Sequence, residues 1–339
     1  MKIRSYTLSA ALVAALGTFP LQALANTRIL VNCFWPSSHF ACNEVLPAWL
    51  DEVERVTEGR VRGIIPPKSV APPPEQLAAV EKGLADVAVQ FNGLIQNRVT
   101  GPLVAMQPFT GTHDAEQMSK ALWATNREFF PDEFDTVHLL SQFVISPGEL
   151  YSQTDAPINS IDELAGRKIW ALPGPLAAIT KNLGAGVVSS PAVKSNEIIS
   201  RGVVDGHLGL DPQAVQAFQL MPYTKSTTKF QTPVYSTSFS VFINSDKWAE
   251  ISAEDQAAIM NVSGEVLGAA FGARWNQAAS AAEEAYAEAG IEVVEADPAF
   301  EQALAEASGF VTQGWLDAAG EAGIDGAAAL EFYKAQLSQ

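Results

Sequence analysis

From residue 26 onward, short apolar runs with the two-residue period of strands alternate with stretches of helical period. Arg28 to Asn32 alternates and runs out into Cys33-Phe34-Trp35-Pro36, a strand followed by a turn. Between Cys42 and Glu58, residues Val45, Leu46, Trp49, Val53 and Val56 recur near helical spacing and predict an amphipathic helix that Gly59 stops. Val61 to Ile65 is a second strand. Pro66, Pro67, Pro72, Pro73 and Pro74 punctuate the loop before a helix over Glu75 to Lys82. Gly83 to Gln90 gives a turn and a buried strand. Strand, helix, strand, helix, strand is the opening half of an α/β domain with a parallel sheet.

A second unit repeats this logic. Ser160 is an N-cap with Glu163 three residues on, a capping box, and Gly166 ends the helix. Arg167 to Leu172 reads as a strand, Pro173 to Pro175 as a turn, and a helix then reaches about Leu183. Glu197 to Ser200 is helical, Gly202 to Gly206 reads as a turn and strand exit, and Ser238 to Asn244 as a strand that crosses back. Ser252 and Asp255 cap an Ala-rich helix predicted to run unbroken to about Ala289 and stop at Gly290. No repeat period appears.

The first residues read as an export signal: Lys2 and Arg4, an apolar stretch from about Leu8 to Leu21, and the small-x-small site Ala23-Leu24-Ala25. Gly17 and Pro20 interrupt that stretch, which is short for a bilayer span. The expectation is cleavage after Ala25 and a soluble, exported, periplasmic protein. Losing Lys2 and Arg4 takes the net charge from −17 to −19. Such a surface repels nucleic acid and anionic lipid. Cys33 and Cys42 are the two cysteines of an exported chain, which reads as a disulfide; a metal site using Cys33, His39 and Cys42 is the rival and lacks a clear fourth ligand.

Catalytic patterns are absent. There is no phosphate-binding loop, no His-Glu-x-x-His, no nucleophile elbow and no dinucleotide fingerprint, so no cofactor is expected. Ser226 to Lys229 matches Ser-x-x-Lys without its companion motifs and reads as a polar loop. His39, His113, His138 and His207 are scattered.

Five segments in order carry a family resemblance: Gly83 to Val87, Ile158 to Ile169, Gly184-Ala185, Gly202 to Gly206, and Asn244 to Trp248. Together they resemble the solute-binding subunits of TRAP (tripartite ATP-independent periplasmic) transporters. The resemblance implies a two-lobed α/β periplasmic-binding-protein fold, with a ligand cleft between the lobes and a long helix spanning both. Residues 26–150 with about 238–278 would form lobe I, and 151–237 with about 279–339 lobe II. It also implies a non-enzymatic receptor that hands a small molecule to membrane permease subunits.

In that family the segment ends on an arginine that pairs with the ligand's carboxylate; here the position is Trp170. The motifs place Cys33 to Pro36, Phe91-Asn92, Glu149 to Tyr151 with Trp170, and Gly209 to Asp211 in the cleft. The candidate ligand residues are therefore Phe34, Trp35, Phe91, Asn92, Glu149, Tyr151, Trp170 and Asp211, with Tyr235 and Phe239 as further wall residues. An indole face holds a cation rather than a carboxylate, and an acid in a dry cleft needs a positive partner. The ligand expected on these grounds is a small organic cation such as ethanolamine or choline. A carboxylate or betaine-like zwitterion held by another basic residue is the alternative, and a periplasmic enzyme acting on a small amine or ester is the runner-up. Core packing of Trp170, a solvated Glu149 and a helix-capping Asp211 are the plain readings of the same residues.

Overall fold

A computed structural model describes residues 27–338; the expected export signal and the expected cleavage after Ala25 lie outside them. The chain builds two sheets. The first contains β1 (Thr27–Asn32), β2 (Val61–Ile64), β3 (Val87–Phe91), β4 (Val137–Val144) and β10 (Ser238–Asn244), in the order β2-β1-β3-β10-β4. The second contains β5 (Glu149–Ser152), β6 (Lys168–Ala171), β7 (Gly186–Ser189), β8 (Gly206–Leu210), β9 (Ser226–Lys229) and β11 (Glu292–Glu295), in the order β11-β9-β5-β8-β6-β7.

β1 runs parallel to β2 and β3, and β6 parallel to β7 and β8, as strand–helix–strand units require. β10 departs from this. It returns from the second sheet and inserts antiparallel between β3 and β4. Its run of Phe239, Val241, Phe242 and Ile243 is buried throughout, which suits a central strand covered on both faces.

Three predicted elements are corrected. Ser226 to Lys229 is β9, not a polar loop: Ser226, Thr227 and Thr228 are buried, and the hydroxyls of Thr227 and Thr228 donate to Glu149 and to the carbonyl of Ile158. Gly202 to Gly206 leads into β8 instead of leaving a strand, and Asp205 caps the turn by accepting from the Lys168 amide at 2.9 Å. The Ala-rich helix is broken into Ala253–Asn261, Gly264–Glu284 and the short Tyr286–Ala289. At the first break Gly264 takes φ +51°, and a Cβ there would stand 2.9 Å from the Trp123 indole, so this corner favours glycine.

The helix Gly264–Glu284 packs on the helix Ala115–Phe129 and on β4 at the first sheet, and on the helix Pro212–Ala217 that follows β8 of the second. It therefore touches both halves. The Ser160 cap is as expected, with Oγ accepting from the Glu163 amide at 3.2 Å, while the Glu163 carboxylate reaches one residue further back, to the Asn159 amide at 2.7 Å.

Candidate functional site

A cavity lies between the carboxyl ends of the two sheets' strands, where open α/β folds bind ligands. Phe34 and Trp35 follow β1, Phe91 ends β3, and Phe239 opens β10. From the other side come Leu172 after β6, Gly209 to Asp211 at the end of β8, and Gln213 on the helix behind it; Trp275 of the long helix closes the back. The aromatic wall is continuous. Phe34 stacks on Trp35 at 4.0 Å between centroids, Trp35 meets Phe239 at 5.2 Å and Trp275 at 5.6 Å, and Phe91 meets Phe239 at 5.6 Å.

The Cys33–Cys42 disulfide, with Cα atoms 5.7 Å apart, staples the segment that carries Phe34, Trp35 and His39. Both sulfurs are thereby used, and the metal alternative falls away.

Among the described residues lining the cavity, Asp211 is the one ionisable side chain, and there is no Lys or Arg. Asp211 caps the helix Pro212–Ala217, accepting from the Ala214 amide at 2.9 Å through Oδ1. Its Oδ2 is buried without a hydrogen-bond partner, and so is the Trp275 indole N–H. That N–H lies close enough to favour the ionised Asp211 yet makes no hydrogen bond to it. Burial outweighs this and pushes the Asp211 carboxyl up to about 7, with Glu149 adding a smaller push. Asp211 and Trp275 both line the apolar cavity, and an unsatisfied polar atom on each marks where a ligand's polar end belongs.

The cavity gathers Phe34, Trp35, Phe91, Phe239 and Asp211 of the expected residues. Trp170 is not among its lining: it is fully buried in β6, paired with Val188 and His207 of the flanking strands, and donates its indole N–H to Ser190 Oγ at 2.9 Å. Asn92 is held inside, donating to Ser238 Oγ at 3.1 Å and accepting from Ser240 Oγ at 2.9 Å. Tyr151 stacks on His207 at 4.4 Å and shares a hydrogen bond of 3.1 Å with Tyr286. Tyr235 is buried outside the lining.

Glu149 opens to a separate polar pocket, with Ser146, Asn276 and the Lys229–Glu283 ion pair. Burial raises its carboxyl to about 7, and a hydrogen bond from Thr227 opposes the rise. Gln213 and Trp275 are the polar wall residues that the sequence motifs did not indicate.

A two-sheet α/β molecule with its cavity at the strand ends, closed by a helix that touches both halves, is a solute-binding receptor of the periplasmic type. Residues 31–316 match the DctP family, described as bacterial extracellular solute-binding protein, family 7. The chain belongs to this family of TRAP solute-binding proteins, receptors rather than enzymes, which bind a small molecule and work with membrane permease subunits. No helix among the described residues is long and apolar enough to cross a membrane.

The chain is 34% identical over 341 residues to the outer membrane transporter protein TsaT of Comamonas testosteroni, covering 100% of this chain and 99% of that protein. It is 32% identical to a TRAP periplasmic solute-binding protein from Bordetella bronchiseptica crystallised with (R)- and (S)-mandelate, at a TM-score of 0.86 over 92% of this chain and 99% of that one. A marine metagenome TRAP solute-binding protein specific for aromatic acids, bound to metahydroxyphenylacetate, shares the fold at 22% identity, TM-score 0.83, over 92% and 98% of the chains.

Proposed function

We propose that this protein is the extracytoplasmic receptor of a TRAP transporter for a small monocyclic aromatic carboxylate. The observation that carries it is the aromatic wall of Phe34, Trp35, Phe91, Phe239 and Trp275, with Asp211 as the one ionisable side chain among the described lining residues. The mandelate held by the Bordetella bronchiseptica relative supports the acid. A buried carboxylate without a cation costs several kcal/mol. Hydrogen bonds to a charged group, at roughly 1.5–3 kcal/mol each, offset that cost. A protonated Asp211 and the orphaned Trp275 N–H are two such donors, and a ligand anion beside Asp211 raises its pKa further and holds the proton in place.

The absence of Lys and Arg from the lining favours one second reading, an aromatic amine seated against an ionised Asp211. The small non-aromatic amines expected from Trp170 and Glu149 lose their basis, since neither residue lines the cavity. Titration calorimetry of refolded protein with mandelate, benzoate, benzamide and benzylamine separates the readings. Binding of the acids alone supports the carboxylate, and binding of benzylamine alone overturns it. Cleavage after Ala25, and lobes of 26–150 with 238–278 and 151–237 with 279–339, complete the proposal; amino-terminal sequencing of exported protein checks the first.

A further inference from the structure

We propose that His39 is a positioning residue that locks the Gln213 amide with its N–H donors toward the cavity, which makes Gln213 the side chain that selects an anionic headgroup over an ammonium. The proposal deepens the aromatic-carboxylate reading and rests on it.

The orientation follows from one hydrogen bond to the next. The Ala41 backbone amide, which can only donate, points at His39 Nδ1 at 3.2 Å. Nδ1 must therefore be bare, and a neutral ring then carries its hydrogen on Nε2. Nε2 lies 3.3 Å from Gln213 Oε1, so it donates there and draws the amide oxygen toward itself. What Gln213 has left for the cavity it lines is Nε2, a group that donates and cannot accept.

The ring has little freedom to turn. Trp35, Phe40 and Trp275 surround it at 5.3, 4.4 and 5.5 Å between centroids. Burial also keeps it neutral, lowering its pKa to about 4. The charged groups that face it are Arg274 and Glu44, which are paired with each other at 2.7 Å. Neutrality matters, because an imidazolium would drive a second N–H against that of Ala41.

The bond also joins the two halves of the molecule. His39 sits on the stapled segment after β1 of the first sheet, and Gln213 on the helix after β8 of the second. The donor face of Gln213 is therefore set where the halves meet.

The test measures (R)-mandelate, benzoate and benzylamine affinities in the wild type, Gln213→Glu, His39→Leu and His39→Gln. Gln213→Glu should weaken the two acids at least tenfold while not weakening benzylamine. His39→Leu should weaken the acids about fivefold or more, and His39→Gln, which restores an N–H donor, should recover most of that loss. Imidazole nitrogen NMR shifts of the wild type should show the neutral Nε2–H tautomer from pH 5.5 to 8, a signature that a merely packed ring does not require. If the wild type binds the acids and Gln213→Glu binds them equally well, the inference is overturned and the carboxylate reading stands; an Nδ1–H tautomer overturns it as well. A wild type that binds no aromatic acid overturns both.

Discussion

Trp170 donates its indole N–H to Ser190 Oγ at 2.9 Å, fully buried on β6, which lies between β7 and β8. Trp170 thus packs within the second sheet and does not line the cavity. Trp170→Phe keeps most of the packing and loses one buried hydrogen bond, about 1 kcal/mol. Trp170→Ala leaves a cavity and costs roughly 3–5 kcal/mol. Urea denaturation should show this ordering, and solute affinity in Trp170→Phe should stay within about twofold of the wild type. A tenfold loss in that variant would put the indole back in the cleft.

Asp211 and Glu149 each hold a proton in the folded state over a pH range where the unfolded chain has lost it. A carboxyl whose folded pKa is raised makes stability fall as pH climbs from the unfolded value toward the folded one, here from about 4 to about 7. The groups that face Asp211 are Glu149, Tyr151, Tyr286 and the Trp275 N–H. Unliganded protein should therefore lose stability over this window. Asp211→Asn and Glu149→Gln should each flatten part of the slope, as thermal melts at stepped pH would show. Binding differs in sign between the ligand classes: mandelate affinity should fall above pH 7 as Asp211 loses its proton, whereas an aromatic amine should bind more tightly there.

How much of this could be read from the chain depends on where each signal lives. Phe34, Trp35 and Asp211 sit just past strand ends and Phe91 ends β3, where sequence position itself points to the cleft. Trp170 also lies at a strand end, but both faces of β6 are buried, so alternation cannot distinguish a side chain facing ligand from one facing core. Gln213 follows Asp-Pro in a helix cap and looks like any polar helix residue; only the approach of His39, 174 positions earlier, gives it a role. Trp275 reads as one apolar residue of an Ala-rich helix, and its orphaned N–H exists only once that helix closes the cavity. β9 misleads by composition, because its threonine hydroxyls find partners on Glu149 and Ile158 that are 78 and 70 residues away.

The disulfide makes its own prediction. Closing a loop with sequence separation 9 stabilises by roughly 2–3 kcal/mol in the chain-entropy account. The double replacement of Cys33 and Cys42 by Ser should lower the melting temperature by a few degrees. The loosened segment carries Phe34, Trp35 and His39, so solute affinity should drop by more than the stability change alone requires. Equal affinity in oxidised and reduced protein would show that the loop holds its shape without the bond.

Gly148 and Gly209 bring β5 and β8 together beside the cavity. A Cβ on Gly148 would stand 2.5 Å from the backbone of Gly209, which no side-chain adjustment can relieve. Gly209 itself takes φ +99°, a conformation that disfavours other residues, and a Cβ there would stand 2.1 Å from Leu176. Gly148→Ala must push the two strands apart at the point where Leu210 and Asp211 enter the lining. The expected result is a loss of several kcal/mol in stability, as for other overpacked sites, and a solute affinity reduced at least tenfold in protein that still folds. Gly202→Ala, at another left-handed glycine with nothing within 4 Å of its Cβ position, is the control. It adds left-handed backbone strain, which Gly148→Ala does not carry, and no clash, so it should cost about 1 kcal/mol and leave binding unchanged. A Gly148→Ala protein that melts and binds like the wild type would mean that the two strands separate without cost, and that the cavity floor is not built on their contact.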